Sequence, residues 1–285
     1  MQIRPLHSSD LPQCLTLLKR VWDFSGFAHP QAEDATAAWY LQHHLQPSTD
    51  TFVVEFDGKV AGYLFATVPG MPPMSMNPTW KTIGDDVEAA WESVTTPDER
   101  QGFKDDWFYG GNWIERALLD QGIASQDAAW VQLFVVNPDV QGQGLGSRLW
   151  KAFESIKAAR AANEWTLLKT DTWCSWRFYE RRGLTRIADC VVKELPPEDD
   201  GTQPAYFLYG LAPKVWPIKK DWGRESLIFT TVEKSRAMHW WVIPRDRSSA
   251  LPITATESCD HAFNRKLFID CGGDDGKKTI GVIGV

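Results

Sequence analysis

The chain has 285 residues, of which 43% are hydrophobic and 24% charged, so it can form one large or two small globular domains and is not a disordered chain. Its formal net charge of −7 makes it a poor partner for nucleic acid or an anionic membrane surface, and a better one for a cationic ligand. It has no apolar run near the roughly 18 residues of a membrane span and no signal-peptide core at its start, so we expect a cytoplasmic protein without nucleic-acid or membrane partners.

The first quarter of the chain predicts a strand, two helices and a hairpin. The run Ser8-Ser9-Asp10 supplies N-cap residues ahead of an apolar segment, and Pro30 suits the first turn of a second helix. The turn Asp57-Gly58 between two apolar runs is typical of a two-residue hairpin. The predicted segments are a strand at 2–5, helices beginning near residues 11 and 30, and a hairpin over 51–67.

A long segment, 68–128, separates the hairpin from the next predicted strand. It begins with a proline- and glycine-rich stretch, 69–74, that favours a loop, and it has helical character at 85–91 and 107–119. The segment is also rich in tryptophan and acidic residues. It is either a lid that shapes a binding pocket or an extra helical pair packed on the surface, and the sequence leaves both possibilities open.

The most informative motif follows an apolar strand at 130–136. Gly142, Gly144 and Gly146 alternate in the next loop, and an amphipathic helix begins near Gly144. Without Cβ atoms the backbone can come close to a ligand and turn its N–H groups toward it, and the positive end of the helix dipole favours an anion. The pattern predicts a pyrophosphate site.

Other glycine loops were weighed against this one. The P-loop pattern Gly-x-x-x-x-Gly-Lys-Ser/Thr is absent. A dinucleotide fingerprint needs its third glycine where Ser147 stands, and the run 137–139 separates the strand from the glycines. Asp171 could take the place of the ribose-binding acid, but no second half of a doubly wound sheet follows. A tight turn that binds nothing is the remaining alternative.

The rest of the chain predicts more strands than helices. Before residue 211 the segments are a strand at 165–170, a short helix at 175–182 ended by Gly183, and strands at 187–193 and 206–211. Beyond it the candidate strands are 227–232, 238–243, 266–270 and 279–285. The second group predicts a small β appendage, a dimer arm or a cover over the rest, and the sequence does not choose among them.

Three motifs together resemble the GNAT N-acetyltransferase superfamily. The loop Gln141-Gly142-Gln143-Gly144-Leu145-Gly146 is similar to that family's acyl-CoA loop, Gln/Arg-x-x-Gly-x-Gly/Ala. Residues 134–138, Phe-Val-Val-Asn-Pro, resemble the exit from its central strand, and 178–184 resemble its Phe-Tyr-x-x-x-Gly-Phe box. The motifs stand in the family's order, and the resemblance covers about residues 1–210 apart from the insertion.

The resemblance implies a fold, an activity and a division of the chain. The fold is mixed α/β, with a mostly antiparallel sheet flanked by helices. Residues 1–211 form the acetyltransferase domain with 68–128 as a helical insertion, and 212–285 form a small β-rich extension of unknown role. The activity is transfer of an acetyl group from acetyl-CoA to the primary amine of a small molecule, with no metal, and a homodimer is one possible assembly.

The family's pattern also assigns site residues. The loop would hold the pyrophosphate, the edge of the central strand would pair with the pantetheine arm, and an N–H near Val136 would stabilise the thioester oxygen. The cofactor-binding residues are Phe134, Val135, Val136, Gln141, Gly142, Gln143, Gly144, Leu145, Gly146, Ser147, Ser175 and Phe178. Tyr179 is the candidate acid that protonates the leaving thiolate; the alternative is a tyrosine that only packs at a helix end.

No residue stands out as the base that takes the proton of the amine. Gln132 occupies the position where some relatives carry glutamate, and Glu55, Asp106 and Glu115 are candidates that also suit a solvated surface. Cys174 is an unfavoured nucleophile, although a helix-start position would lower the pKa of its thiol. The five cysteines show no zinc-site spacing, which favours reduced thiols in an intracellular protein.

The insertion is the candidate acceptor site. Its aromatic residues would attract a cationic amine and its carboxylates would add charge complementarity. The residues proposed for this role are Asp105, Asp106, Trp107, Tyr109 and Trp113. The same surface would suit a protein or histone lysine, so a protein acetyltransferase is an alternative, as is a non-catalytic acyl-CoA-binding or interaction module.

Overall fold

The computed structural model describes residues 1–25, 30–107, 112–198 and 201–213, with three further strands at 239–242, 251–258 and 266–270. The chain divides into two compact units, Met1–Val215 and Trp216–Val285. Within the described residues, no helix has both the length and the apolar character needed to cross a membrane.

The first unit alternates helices and strands around one sheet. Before the insertion the elements are β1 Gln2–Arg4, α1 Leu11–Val21, α2 Pro30–Leu45, β2 Asp50–Phe56 and β3 Lys59–Thr67. The insertion contributes α3 Pro78–Val94, α4 Pro97–Trp107 and α5 Trp113–Asp120. The remaining elements are β4 Ala129–Val136, α6 Leu145–Arg160, β5 Thr166–Asp171, α7 Arg177–Glu180, β6 Thr185–Val191 and β7 Ala205–Leu211.

The seven strands form one mixed sheet in the order β1-β2-β3-β4-β5-β7-β6. Of the six pairings only β4–β5 is parallel, so the predicted mixed, mostly antiparallel sheet flanked by helices is confirmed. The predicted hairpin is β2–β3, and its two turn residues, Asp57 and Gly58, have φ of 51° and 70°. Positive φ at both central residues is the conformation that matches the twist of a two-residue hairpin.

Two apolar cores cover the two faces of the sheet. On one face, side chains of α1–α4 pack against β2, β3 and the second half of β4. On the other face, α6 packs against the same strands through Leu149, Trp150 and Phe153, each at most 2% exposed. A smaller core joins α5 to β5 and β7.

The insertion belongs to the first of these cores rather than to the surface. The ring of Trp91 in α3 is fully buried, lies 4.2 Å from the ring of Trp39 in α2, and donates a hydrogen bond of 2.8 Å to the hydroxyl of Thr36. The alternative of an extra helical pair on the surface is therefore wrong for α3, since it shares a core with α1 and α2.

The helix boundaries inside the insertion differ from the prediction. The predicted helix at 85–91 is part of the longer α3, whereas the predicted helix at 107–119 is wrong, because Trp107 ends α4 and Trp113 begins α5. The missed helix, α4, is mostly polar and contains Gly102, so it lacks the apolar periodicity that identifies a helix in a sequence. Its start at Pro97 is the one local signal.

A β-bulge interrupts the central strand β4. Phe65 pairs with Leu133 and Ala66 pairs with Val131, so Gln132 is the extra residue on β4. A bulge shifts the alternation of side chains by one residue and bends the strand. Val131 therefore packs with the α6 core, and Leu133 and Val135 pack with the opposite core.

The second unit contributes a three-stranded antiparallel sheet in the order β10-β9-β8. Its strands are β8 His239–Val242, β9 Leu251–Ser258 and β10 Lys266–Asp270. The predictions at 238–243 and 266–270 are confirmed, and those at 227–232 and 279–285 lie outside the described residues. β9 was not predicted, since Pro252 inside it is typical of a segment that is not a strand.

Candidate functional site

A cleft opens in the sheet where β4 and β5 separate. The two strands pair from Ala129↔Thr166 to Val131↔Leu168, and the separation coincides with the bulge at Gln132. Beyond this point β4 pairs only with β3, while β5 continues to pair with β7 as far as Asp171. The second half of β4 therefore has one edge free of strand pairing within the described residues.

The free edge presents backbone donors to the cleft. The N–H of Asn137 donates to the carbonyl oxygen of Ala61 on β3, at 2.9 Å. Because successive N–H groups of an extended strand point to opposite sides, the N–H of Val136 points away from β3, toward the cleft. The predicted binding residues Phe134, Val135 and Val136 all lie on this half of β4.

The glycine loop lies at the same end of β4 and leads into α6. Gly142 has φ of 82° and Gly144, the residue before α6, has φ of 78°. L side chains rarely adopt such φ values, and a Cβ at either position would have no atom within 4 Å, so these glycines provide backbone conformation and open space. Because the first N–H groups of a helix have no partner inside it, the loop and α6 form an anion-binding end.

Gly146 has a different role, which is close packing. A Cβ built there would lie 3.4 Å from the Phe178 ring and 3.6 Å from that of Phe134, and the two rings are 5.4 Å apart. Gly146 thus lets α6 approach β4 and α7 together. The other predicted loop residues divide by exposure. Gln141, Gln143, Ser147 and Ser175 are exposed, whereas the side chain of Leu145 is 1% exposed and belongs to the α6 core.

Arg182 brings a positive charge to this end of α6, and the sequence did not single it out. Its guanidinium lies 3.3 Å from the centre of the Phe178 ring and donates to the hydroxyl of Ser147 at 2.8 Å and to the carbonyl of Phe178 at 3.1 Å. The motif leaves this position unspecified, and Arg181 beside it is exposed, so sequence alone could not choose between the two arginines.

Tyr179 lies in α7, among the rings of Trp150, Phe178 and Tyr209, at 5.8, 5.4 and 6.3 Å between centres. Burial raises the pKa of its phenol well above the usual value, and the nearby Cys174 and Asp171 act in the same direction. Tyr179 therefore keeps its proton at neutral pH, as a proton donor must.

The model of the acetyltransferase (GNAT) family matches residues 13–184, a range that includes the cleft, the loop and Tyr179. The chain belongs to the acetyltransferase (GNAT) family. This confirms the resemblance drawn from the loop and its flanking motifs. No curated protein sequence matches the chain.

Solved structures similar to this chain include other acetyltransferases. The ribosomal-protein-S18-alanine N-acetyltransferase from Escherichia coli is 15% identical over 76% of this chain and 97% of its own, with a TM-score of 0.43. An N-acetyltransferase from Staphylococcus aureus Mu50 is 14% identical over 75% and 98%, with a TM-score of 0.42. A polyamine N-acetyltransferase from Drosophila melanogaster, which catalyses the formation of N-acetylagmatine, is 14% identical over 74% and 99%, with a TM-score of 0.43.

In this GNAT domain the cleft is bordered on the insertion side by polar side chains of β5. Leu167 packs with the α5 core, while Leu168 packs with the α6 core. Because side chains alternate along a strand, Lys169 and Asp171 lie on the same face as Leu167, which is the face that carries the insertion. Both side chains are half-buried.

Lys169 connects β5 to the insertion. Its ammonium group donates to the carbonyl oxygen of Trp107, the last residue of α4, at 2.8 Å, and lies 4.3 Å from the centre of the Tyr206 ring. Burial lowers the pKa of Lys169 to about 8, so a substantial fraction of this amine is neutral slightly above physiological pH.

Asp171 and Cys174 form a second polar group at the end of β5. The backbone N–H of Cys174 donates to Asp171 Oδ1 at 2.9 Å. Burial raises the pKa of the Asp171 carboxyl, and burial together with the Asp171 charge raises that of the Cys174 thiol. The sequence-based expectation of a lowered thiol pKa at Cys174 is therefore wrong, because the thiol is buried beside a carboxylate.

Two residues of α2 complete this side of the cleft. The Tyr40 ring is 8% exposed and lies 4.3 Å from the Trp107 ring and 4.3 Å from the His44 ring. His44 Nδ1 is 2.9 Å from the Tyr40 carbonyl oxygen, so it carries the donated proton. Burial lowers the pKa of His44 to about 4, so its ring is neutral at physiological pH.

The predicted acceptor residues of the insertion are not gathered in one place. Trp107 packs with the core of α1–α4, whereas Trp113 packs with the α5 core. Asp105 is exposed and accepts a hydrogen bond of 2.7 Å from Gln101. Tyr109 and the side chain of Asp106 lie outside the described residues. Of this set, Trp107 is the residue that reaches the polar groups of β5, through its carbonyl oxygen. Groups of His, Cys, Asp and Glu that could hold a metal are absent from the described residues.

Proposed function

We propose that this chain is an acetyl-CoA-dependent N-acetyltransferase that acts on the primary amine of a small molecule, by direct attack within a ternary complex. The observation that supports this most is the coincidence of the bulge at Gln132, the free edge of β4 and the glycine loop at one end of the sheet. The GNAT family generally uses acetyl-CoA, and each part of that donor has a matching group here.

The cleft and loop fit the donor in three respects. The loop and the first turn of α6 offer N–H groups and positive dipole to a pyrophosphate, with open space above Gly142 and Gly144. Arg182 adds a guanidinium beside Ser147, and Arg is well suited to phosphate. The free edge of β4 offers the donors and acceptors with which a peptide-like arm pairs. When bound there, acetyl-CoA supplies an activated acyl group.

The residues around the cleft would then divide the chemistry. The N–H of Val136 would stabilise the negative charge that develops on the thioester oxygen, and such a donor commonly lowers a barrier by about 2.7–4 kcal/mol. Tyr179 would protonate the departing sulfur. Burial disfavours the phenolate of Tyr179, but the same apolar surroundings disfavour a thiolate, so the transfer is less uphill than the raised phenol pKa alone implies.

The acceptor would enter from the side that carries the insertion, between α2, the end of α4 and β5. Tyr40, Trp107 and Tyr206 provide aromatic surface there, and Asp171 provides a carboxylate. This enclosed setting favours a small amine or a single extended side chain. The protein lysine acetyltransferase and the non-catalytic acyl-CoA-binding module remain the alternatives that the experiment below separates.

Thermal denaturation with and without acetyl-CoA tests the donor. At about a hundred times its dissociation constant the ligand should stabilise the protein by about 2.7 kcal/mol, whereas NAD should not. Gly144→Asp should abolish the shift, since it places a negative charge where the pyrophosphate binds. Gly122→Asp is the matched control, because Gly122 also has positive φ, 66°, and open space but lies away from the loop. A full shift in folded Gly144→Asp would rule out this anion site.

An acetylation screen tests the acceptor. Amino sugars, polyamines, aminoglycosides and histone peptides are offered with acetyl-CoA, and release of the CoA thiol is measured. Turnover with a free amine supports the proposal, turnover confined to peptides supports the protein acetyltransferase, and an acetyl-CoA shift without any turnover supports the non-catalytic module.

A further inference from the structure

We propose that Asp171 is the general base that accepts the proton of the acceptor's ammonium group. The inference rests on the proposed acetyltransferase function and supplies the catalytic group that sequence analysis left unassigned. A base is required because an amine with a pKa near 10 is mostly protonated at neutral pH and cannot attack a carbonyl in that form.

The position of Asp171 carries the argument. It is the last residue of β5, level with Tyr206 of β7 in the register, at the end of the sheet where β4 and β5 have separated. Its side chain is on the face that carries the insertion, the side from which the acceptor would enter. Asp171 thus borders the cleft opposite the free edge of β4.

The carboxylate is held in place rather than free to rotate. Oδ1 accepts the backbone N–H of Cys174 at 2.9 Å, and the Cys174 thiol also hydrogen-bonds to the carboxyl group. A carboxylate has about four lone-pair sites, so these bonds leave capacity for an ammonium proton. The half-buried side chain retains access to the cleft.

The surroundings of Asp171 favour proton acceptance. Burial raises the pKa of its carboxyl, while the hydrogen bonds of Cys174 and Trp173 and the charge of Lys169 partly oppose this. A raised carboxylate pKa brings the base closer to the pH at which it works. Lys169 has a second effect, because a cation near the bound ammonium favours its neutral form.

The other titratable groups near Asp171 are less suited to the task. They are Lys169 on β5, Cys174 after it, Tyr40 on α2, Tyr179 on α7 and Tyr206 on β7. Tyr40, Cys174 and Tyr179 all have raised pKa values, so they are protonated at neutral pH and cannot accept a proton. His44 faces Lys169 from α2, and its Nδ1 already donates to Tyr40; it is the rival that the experiment includes.

The proton balance of the reaction is complete with this assignment. Asp171 takes one proton from the ammonium group and passes it to solvent. The neutral nitrogen attacks the thioester carbon, so that the N–C bond forms and the C–S bond breaks. Tyr179 gives its proton to the sulfur and regains one from the nitrogen as the amide forms. The net products are the acetamide, the free CoA thiol and one proton.

The test is the pH profile of kcat/KM for Asp171→Asn, with the acceptor of highest kcat/KM in the screen. Asn keeps an acceptor for the Cys174 N–H but cannot act as a base. We expect kcat/KM at pH 7 to fall by about 10² to 10⁴, and the break on the acid side of the profile to disappear. The acetyl-CoA thermal shift should persist, Asp171→Glu should restore part of the rate, and the exposed Asp189→Asn should behave as wild type.

A second measurement does not depend on turnover. NMR titration of ¹³C-labelled aspartate carboxyls should show one group with a pKa above the ordinary value, and Asp171→Asn should remove that signal. If Asp171→Asn loses the acetyl-CoA shift through misfolding, Cys174→Ala replaces it. Loss of the thiol hydrogen bond, which lowers the Asp171 pKa, should move the acid break to higher pH.

Three results would overturn the assignment. These are an Asp171→Asn variant with wild-type rate and an unchanged acid break, an acid break that disappears in His44→Gln but not in Asp171→Asn, or a carboxyl titration at the ordinary aspartate value. Absence of turnover in the wild type would overturn the proposed function, and the base assignment with it, whereas a failure limited to the Asp171 variants would leave the acetyltransferase in place.

Discussion

The ammonium group of Lys169 donates a hydrogen bond to the carbonyl oxygen of Trp107 across 2.8 Å, so the last turn of α4 is fixed to the strand that borders the cleft. A lysine is well placed there, because the final carbonyls of a helix have no partner within it and carry partial negative charge. The insertion is therefore coupled to the acceptor side of the cleft through one side chain.

Lys169→Met should loosen this connection. Met preserves the apolar stem and removes the donor, so amide exchange in the last turn of α4 should become faster and the KM of the acceptor should rise, while the affinity for acetyl-CoA stays the same. Hydrogen exchange and steady-state kinetics measure the two effects. Lys169→Gln, which keeps an N–H donor, is the matched control. Weaker acetyl-CoA binding with unchanged acceptor KM would mean that the insertion serves the donor site instead.

The fully buried charge of Lys169 also has a pH signature. Burial lowers its pKa to about 8 from 10.5, so the folded state holds this proton less tightly than the unfolded state. The sign follows from linkage: between about pH 8 and 10.5 the unfolded chain binds more protons, and stability from this group rises with pH. In Lys169→Met that rise should vanish, as urea denaturation at pH 7.5 and 9.5 can show. An identical pH dependence in both proteins would exclude a depressed pKa at this residue.

Tyr179→Phe should lower kcat by about 10² to 10⁴, the usual contribution of a positioned acid, with acetyl-CoA affinity nearly unchanged. The ring contacts with Trp150 and Phe178 are preserved in Phe, so the loss isolates the hydroxyl group. Tyr63→Phe is the control for removal of a buried tyrosine hydroxyl, since Tyr63 donates to the Cys14 carbonyl at 3.2 Å, away from the cleft. Wild-type turnover in Tyr179→Phe, with chemistry rate-limiting, would assign the residue a packing role only.

Arg182→Gln should weaken acetyl-CoA binding by roughly ten- to a hundredfold, as expected for a charged hydrogen bond worth about 1.5–3 kcal/mol. It should also reduce the salt dependence of binding, since one cation is removed from the phosphate end of α6. Calorimetry at two salt concentrations measures both. Its exposed neighbour supplies the control, Arg181→Gln. Equal effects of the two substitutions would point to general charge rather than to the contact with Ser147.

Asp10→Asn tests a structural ion pair away from the cleft. The Arg4 hydrogen bond holds the pKa of Asp10 below its usual value, so its contribution is present above the unfolded pKa near 3.9 and is lost as pH falls through the folded pKa. The substitution should cost about 1.5–3 kcal/mol at pH 7 and much less in acid. The exposed Asp34→Asn, paired with Lys19, should cost under about 1 kcal/mol. Comparable costs for both, or no pH dependence for Asp10, would contradict this account.

The parts of the fold that sequence could predict are those with a local signal. Pro30, the Asp57-Gly58 turn and the glycine alternation at 142–146 each fix a backbone conformation by their own chemistry, and the structure has a helix, a hairpin and a loop there. Polar helix α4 has no such signal, because it is stabilised by the contacts of a few residues, such as Phe103, with distant aromatic rings.

The site divides in the same way. The loop and Tyr179 belong to motifs that are contiguous in sequence, so they were assigned before their surroundings were known. Asp171, Lys169 and Arg182 acquire their roles from partners far along the chain or from burial. Trp107 precedes Lys169 by 62 residues, and Ser147 precedes Arg182 by 35. No spacing rule connects such pairs, so only the folded chain identifies them.

The bulge at Gln132 gives the sheet a third edge, located in its middle rather than at its rim. An outer edge is a hazard, since any extended chain can add to it and start aggregation. An inner edge is flanked by β5 on the far side, so a long foreign strand cannot extend along it past the point where the two strands meet. One additional residue in β4 thus lets the protein offer unpaired backbone groups to a short extended guest while hiding them from its own unfolded copies.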